Sequence, residues 1–381
     1  MLTPFFLFGL SFFVILINPF GWGLFYYAAP LHLPFVLTNS KRLLFRVSKP
    51  VLYFLIFVLY TFYSYFFISH YKSSILKVLR YAYELIVFWI LLKAYMPLRR
   101  IKALNKFYIF SCLGIVIKMA VQRNVLPDAE GNRYTIFNFI KFMDPNFLSA
   151  LFILPCVLLF AQIINRKASK LSYLLFVSFL AAVFITGSRG GLLGILLGCG
   201  IMFLTIRNPK VKIATIIFVI FGIILGIKIA ADKIERFTNI YDGSNMLRFH
   251  LWYTAWKIFL SSPLFGRGTN SMIALGPEFG VRINIMVHNS MLEILADYGI
   301  FGFIFWIAPF INILRSAIKK HNVLIISILA GTFFSAVFIS AQDSSFWWQN
   351  IILCALMLKY NSKEIMNFRL FRRGYVTELK Q

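Results

Sequence analysis

DGSNMLRFHLWYTAWKIFLSSPLFGRG at 242–268 and VHNSMLEILADYGIFG at 287–302 mark the largest departure of this sequence from plain membrane-spanning character. The first segment is too polar, and too interrupted by Pro263, Gly266 and Gly268, to cross a bilayer. The second turns apolar directly after His288-Asn289 and runs into a hydrophobic stretch. An extramembrane loop therefore delivers Arg248, Arg267 and His288 to a membrane surface, and the remaining chain reads as the scaffold for that loop.

Of the 381 residues, 60% are hydrophobic and 18% aromatic, with a mean hydropathy of +0.78. Soluble domains are usually about half apolar, so this chain belongs in lipid. Long apolar runs separated by short basic loops predict transmembrane helices, because barrel strands would be about ten residues long and alternating. The expected fold is all-α, a polytopic integral membrane protein forming one domain over 1–381, with about twelve spans. They fall near 4–18, 20–37, 51–69, 80–96, 104–121, 145–164, 171–187, 190–206, 212–230, 290–314, 323–341 and 346–360. Asn18-Pro19-Phe20-Gly21 reads either as a turn between the first two or as a kink in one long helix. No basic n-region or small-residue cleavage site marks a removable signal, so the first helix is expected to stay.

The basic loops fix orientation. Clusters such as Arg99, Arg100 and Lys102, Arg166 and Lys167, and Lys319 and Lys320 fall on one side, which the positive-inside rule makes the cytoplasm, together with both termini. The opposite face receives loops 70–79, 122–144, 231–289 and 342–345 and the turn at Thr186-Gly187-Ser188-Arg189. Function is expected on that face, where 231–289 forms the large outer loop with amphipathic helical segments. The net charge of +26 would suit nucleic acid in a soluble protein. Here much of it sits in loops that contact anionic lipid, and no nucleic-acid partner is expected. Cys112, Cys156, Cys199 and Cys354 lie within apolar runs without ligand spacing. No HExxH, DxD or clustered acidic pair appears, so neither metal nor cofactor is expected. No sequence repeat is evident, and no sustained small-xxx-small seam stands out, which makes a monomer the default.

Three polar constellations converge on the outer face. In Ser188-Arg189-Gly190-Gly191, a serine cap, an arginine and two glycines at a helix start would present N–H groups and a guanidinium to an anion. The alternative is an arginine that merely anchors a helix end. Arg248 opens Leu247–Leu260, read as an interfacial amphipathic helix with Trp252, Trp256 and Phe259 turned inward and His250 packed beside Arg248. His288-Asn289 precedes Glu293 and Asp297 at helical spacing, and an imidazole there can take a proton from a sugar hydroxyl. His32, His70 and His321 read as interfacial or loop residues. Asp144-Pro145-Asn146 reads as a helix cap with proline in the first turn.

Together, SRGG at 188–191, R-x₃-W-x₃-W at 248–256 leading into PLFGRG at 263–268, and HNSMLEILADYGIFG at 288–302 resemble the O-antigen polymerase and O-antigen ligase superfamily of bacterial envelope proteins. The motifs cover roughly 140–310, and DPNF at 144–147 is similar to a segment of polymerase-like members. Arg267 departs from the small or apolar residue common between those glycines.

The resemblance implies metal-independent glycosyl transfer from an undecaprenyl-pyrophosphate-linked oligosaccharide on the periplasmic side of the bacterial inner membrane. It makes His288 the general base, and Arg189 and Arg248 the cations that stabilise the leaving pyrophosphate. Ser188, Gly190, Arg267 and Asn289 become substrate contacts. A polymerase of surface polysaccharide such as O-antigen is favoured over a ligase that transfers the glycan to lipid A core during lipopolysaccharide biosynthesis. Membrane lipid and a chain-length regulator protein are the further partners it suggests. A flippase for the same lipid-linked units is the competing class, against which stands the lack of inverted repeats.

Overall fold

A computed structural model of the protein describes residues 48–69, 71, 74–93, 97–126, 133–138, 141–213, 215–217, 220, 243–281, 285–342 and 344–366. The expected spans 4–18 and 20–37, with most of 212–230, lie outside these residues. Helices meet the other expected spans. They are α1 (Lys49–Tyr63, extended by a π-helical turn Ser64–Ile68), α2 (Ser74–Lys93) and α3 (Leu98–Gln122). Next come α4 (Pro145–Ala150), α5 (Ile153–Ile164), α6 (Lys170–Thr186) and α7 (Arg189–Leu204). After the polar stretch follow α8 (Gly243–Ser261), α9 (Ser271–Leu275), α10 (Ser290–Lys319), α11 (Val323–Ala336), α12 (Ser345–Met357) and α13 (Ser362–Met366). Lys49–Ile68, Leu98–Gln122, Pro145–Ile164 and Ser290–Lys319 are long and apolar enough to cross a membrane, and four shorter apolar helices accompany them. The fold is that of an all-α polytopic membrane protein.

Helix α5 is the hub. Every residue of it but Ile164 is buried, the signature of a helix apolar all round and enclosed by neighbours. Against it pack α7 and α11, which approach each other through small residues. A Cβ on Gly194 would lie 2.8 Å from the Gly331 carbonyl, and one on Gly198 would lie 2.9 Å from that of Ser327. Gly190, Gly194 and Gly198 recur every fourth residue on α7. They form the small-residue seam that the sequence was expected to lack, and the chain uses it internally to bring two helices together. On the other flank α10 lies along α1, and α12 supplies Trp347, stacked on Trp306 at 5.2 Å and on Phe310 at 5.5 Å.

Two of the stretches expected as loops contain regular structure. Helix α2 begins at Ser74, inside the supposed outer loop 70–79, and carries Lys77 into the interior at 7% exposure. The lysine is tolerated because two carboxylates meet it, as described below. The stretch 122–144, expected as an outer loop, contains two short antiparallel hairpins, β1 (Asn124–Leu126) with β2 (Arg133–Thr135) and β3 (Phe137–Asn138) with β4 (Lys141–Phe142). Strand pairing there satisfies backbone groups that a loop returning to the membrane face would otherwise leave without partners.

Helix α10 is broken at Gly299, whose φ of 64° and ψ of −166° leave the helical region. An unbroken helix would bond the N–H groups of Ile300 and Phe301 to the carbonyls of Ala296 and Asp297. Instead Ile300 N–H donates to Pro263 O at 2.9 Å and Phe301 N–H to Leu264 O at 3.3 Å. The carbonyls of Ala296 and Asp297 accept from Arg267 N–H at 2.9 Å and Gly268 N–H at 2.8 Å. The PLFGRG segment thus replaces the bonds lost at the break, which is what makes a broken helix tolerable at membrane depth.

Candidate active site

The site starts at the turn between α6 and α7. Gly187 ends α6 in the left-handed region, and the Ser188 Oγ caps α7 by accepting the Gly191 N–H at 3.3 Å. Arg189, half-buried, is the first residue of α7. Beneath this turn lies Arg133 of β2, whose Nε donates to Thr186 O at 3.0 Å and whose Nη2 donates to Asn146 Oδ1 at 2.9 Å. Asp144 caps α4 by accepting the Asn146 N–H at 2.6 Å, with Pro145 in the first turn, as the sequence indicates. Arg133 is therefore held by both the α6 terminus and the α4 start.

Helix α8 brings the second arginine. Its buried face is Leu251, Ala255, Ile258 and Phe259. Phe249, Tyr253, Trp256 and Leu260 form the opposite, exposed stripe. The expectation that Trp256 turns inward is thus corrected, because the small Ala255 and aliphatic Leu251 fit the interior contact with α10. His250 is exposed rather than packed beside Arg248. Trp252, one helical turn after Arg248, faces Phe338 with ring centroids 6.2 Å apart. Phe338 also covers the α7 start, since a Cβ on Gly190 would meet its Cβ at 2.8 Å. The turn after α11 is thus a common neighbour of the Arg189 and Arg248 elements.

The same turn holds His288. This residue sits at φ 54°, a left-handed conformation uncommon outside glycine, and its N–H donates to Ser340 Oγ at 3.0 Å. Ser290 adds a staple, donating to Ile339 O and accepting from Ala341 N–H, both at 2.7 Å. Burial pushes the His288 pKa below its usual 6.5. Asp144 and Glu293 act to raise it, while Arg248 and Arg133 act to lower it. Those four charges come from four separate elements, so the fold assembles around one imidazole what the sequence scatters over more than a hundred residues. Imidazole Nδ1 is buried without a hydrogen-bond partner among the described residues. A neutral imidazole in the field of two guanidinium groups suits proton removal beside a developing anion.

The remaining expected contacts have structural employment. Asn289 caps α10, its Oδ1 accepting from Met291 and Leu292 N–H at 3.0 and 3.1 Å. Gly190 and Gly191 make room for Phe338 and Ser149 rather than leaving open backbone for a ligand. Arg267 is exposed, and its Nε donates to Ser261 Oγ at 2.8 Å. Glu293 and Asp297 meet Lys77 Nζ at 2.7 and 3.3 Å. Among the described residues no group of three or more His, Cys, Asp or Glu side chains could hold a metal ion. The four cysteines are buried and free.

Arg133, Lys77 and Ser340 escaped the sequence reading. Arg133 stands in a polar loop where nothing distinguishes it from a solvated cation. Lys77 had a usable signal, since with Arg80 and Glu84 it is a charged series inside an otherwise apolar helix, and such residues face the protein interior.

Residues 174–307, from α6 into α10, match a family profile described as O-Antigen ligase. The matched segment, about a third of the chain, is similar to that family. It contains Arg189, Arg248 and His288, whereas Arg133 and Lys77 lie before it. The teichuronic acid biosynthesis protein TuaE of Bacillus subtilis (strain 168) is 32% identical over 135 residues, covering 31% of this chain and 28% of that protein. The match therefore spans under a third of the relative's length.

Proposed function

We propose that the protein is a surface-polysaccharide polymerase that joins undecaprenyl-pyrophosphate-linked oligosaccharide units on the outer face of the bacterial cytoplasmic membrane. One observation carries this reading. His288, its pKa held down by burial, feels the charges of Arg248 and Arg133 and lies within the residues that match the O-antigen ligase family. The relative named for teichuronic acid biosynthesis supports a surface polymer as product. By positive-inside orientation both termini are cytoplasmic and the site faces outward, the periplasm in a two-membrane envelope.

In the reaction an acceptor sugar hydroxyl gives its proton to His288 as its oxygen attacks the anomeric carbon of the donor. The new glycosidic bond forms, the bond from that carbon to the pyrophosphate oxygen breaks, and the lipid pyrophosphate leaves with the electron pair. Arg189 and Arg248 stabilise the charge that grows on it, in the role a divalent cation plays elsewhere. Arg133 joins them through its place beside the α6–α7 turn. Ser188, Gly190 and Asn289 contribute by fixing the helix starts, and exposed Arg267 is left to meet the glycan. Membrane lipid surrounds the site, and a chain-length regulator is the protein partner that suits a polymerase.

DPNF at 144–147 favours the polymerase. The description of the matched family favours the ligase, which uses the same donor site and differs only in its acceptor. Purified protein in liposomes, given a lipid-pyrophosphate oligosaccharide, separates the readings. Lengthened lipid-linked glycan supports a polymerase, transfer only to added lipid A core indicates a ligase, and passage across the bilayer without a new bond indicates a transporter.

A further inference from the structure

Three candidates stand outside the proposed chemistry. An apolar crevice of about 500 Å³ between α5, α6 and α7 is lined by Phe160, Phe176, Phe184, Leu196 and Phe203. Nothing in the structure selects one lipid chain over another there. The exposed aromatic stripe of α8 equally fits any membrane interface. The third candidate is a buried chain of polar contacts leading from α2 to the histidine.

Lys77 lies 216 residues before Glu293 in sequence and is 7% exposed. Its Nζ is 2.7 Å from Glu293 Oε1 and 3.3 Å from Asp297 Oδ2. The second oxygen of Glu293 accepts a short hydrogen bond from Ser340 Oγ. That hydroxyl, its proton thus committed to the carboxylate, turns a lone pair to the His288 N–H at 3.0 Å. The other end is tied as firmly. Asp297 Oδ1 accepts from Ser271 N–H at 2.9 Å and Ser271 Oγ at 2.7 Å, and Oδ2 accepts from Asn270 N–H at 3.2 Å. A lysine buried among two carboxylates is costly unless every lone pair is met, and here each carboxylate oxygen has a partner.

We propose that Lys77 is a positioning residue, which through Glu293 and Ser340 fixes the backbone of His288 in its left-handed conformation and so sets the direction of the imidazole. This rests on His288 being the general base. The hydroxyl of Ser340 can donate in only one direction at a time. With Glu293 held as an anion by Lys77, that direction is away from His288, and the oxygen is free to receive the His288 N–H. Without Lys77, two buried carboxylates side by side take up a proton. A protonated Glu293 can donate to Ser340, which then loses its fixed orientation and releases the strained histidine backbone. Misplacement of a proton acceptor by about 1 Å can lower turnover by about 100-fold.

The test measures steady-state transfer by purified protein in nanodiscs, using the lipid-pyrophosphate oligosaccharide as donor. Lys77→Met and Ser340→Ala should each lower kcat about tenfold or more, with little change in donor KM. Lys77→Arg should stay within about threefold of wild type, because it keeps the cation. Each substitution is then placed in a His288→Ala background. Residues that act only through the imidazole cost nothing further there, whereas residues that merely stabilise the fold cost as much as before. Ser340→Ala removes one oxygen and leaves the ion pairs intact, so it carries the test if Lys77→Met does not fold. Wild-type kcat in Ser340→Ala, or a full additional loss in the His288→Ala background, would overturn the proposal. Wild-type turnover in His288→Ala alone would instead remove the general-base reading on which it rests.

Discussion

The N–H of Ile300 donates to the carbonyl of Pro263 at 2.9 Å, in place of the Ala296 carbonyl that a continuous helix would have offered. Helix α10 and the Pro263–Gly268 segment are consequently one hydrogen-bonded unit, and the residue that makes this possible is Gly299 within the helix. Its φ is 64°, and a Cβ added there would lie 2.4 Å from Leu264 O.

Gly299→Ala should therefore lower stability through both the backbone conformation and the overlap, by about 2–4 kcal/mol in all. Gly280→Ala is the control, since Gly280 also has positive φ, at 89°, but no neighbour within 4 Å of an added Cβ. Its cost should be the conformational part alone, about 1 kcal/mol. Thermal unfolding in detergent compares the two, and equal midpoints would show that the loop does not clasp α10.

The arginines should matter at least as much as the histidine. Loss of one donor to a developing oxyanion lowers turnover by about 10²–10³-fold, and loss of a general base by about 10²–10⁴-fold. Arg189→Ala and Arg248→Ala are expected in the upper part of that span. Arg133→Lys should also fall by about 100-fold, because a lysine cannot reach Thr186 O and Asn146 Oδ1 with one planar fork. Comparable turnover in Arg189→Ala and wild type would remove that arginine from the chemistry.

How much of this was legible can be followed residue by residue. The helices were written in hydropathy, and the Asp144 cap and the capped start of α7 in local spacing. His288 and Arg248 stood out because each interrupts an apolar context at a loop boundary. Arg133 did not, because its meaning comes from Thr186 and Asn146, which no local pattern places beside it. The broken helix was not legible: the expected span 290–314 runs through Gly299, and only the fold shows the break and that Pro263–Gly268 supplies the missing bonds. The two glycines after Arg189 were legible as small residues but not as to what fills the room. Phe338 and Ser149, which fill it, lie far from them in sequence.

The acid side of the pH profile follows from the surroundings of His288. Burial holds its pKa below 6.5, so the imidazole is neutral and able to accept a proton at pH 7. Turnover should fall only as pH drops below 6.5, when the imidazole protonates. Asp144 acts to raise that pKa. Asp144→Asn keeps a good helix cap while removing the charge, so the acid limb should move to still lower pH. A limb that stays in place, measured by initial rates of glycan transfer, would show that His288 is not the group titrating.

The size distribution of surface polysaccharide, in cells lacking this protein and rescued with wild type or with His288→Ala, bears most directly on the proposed polymerase. Wild type should restore long chains, while His288→Ala should leave acceptors carrying a single repeat unit. Long lipid-linked chains accumulating behind a bare acceptor, or a distribution that His288→Ala restores in full, would contradict a polymerase that uses His288 as its base.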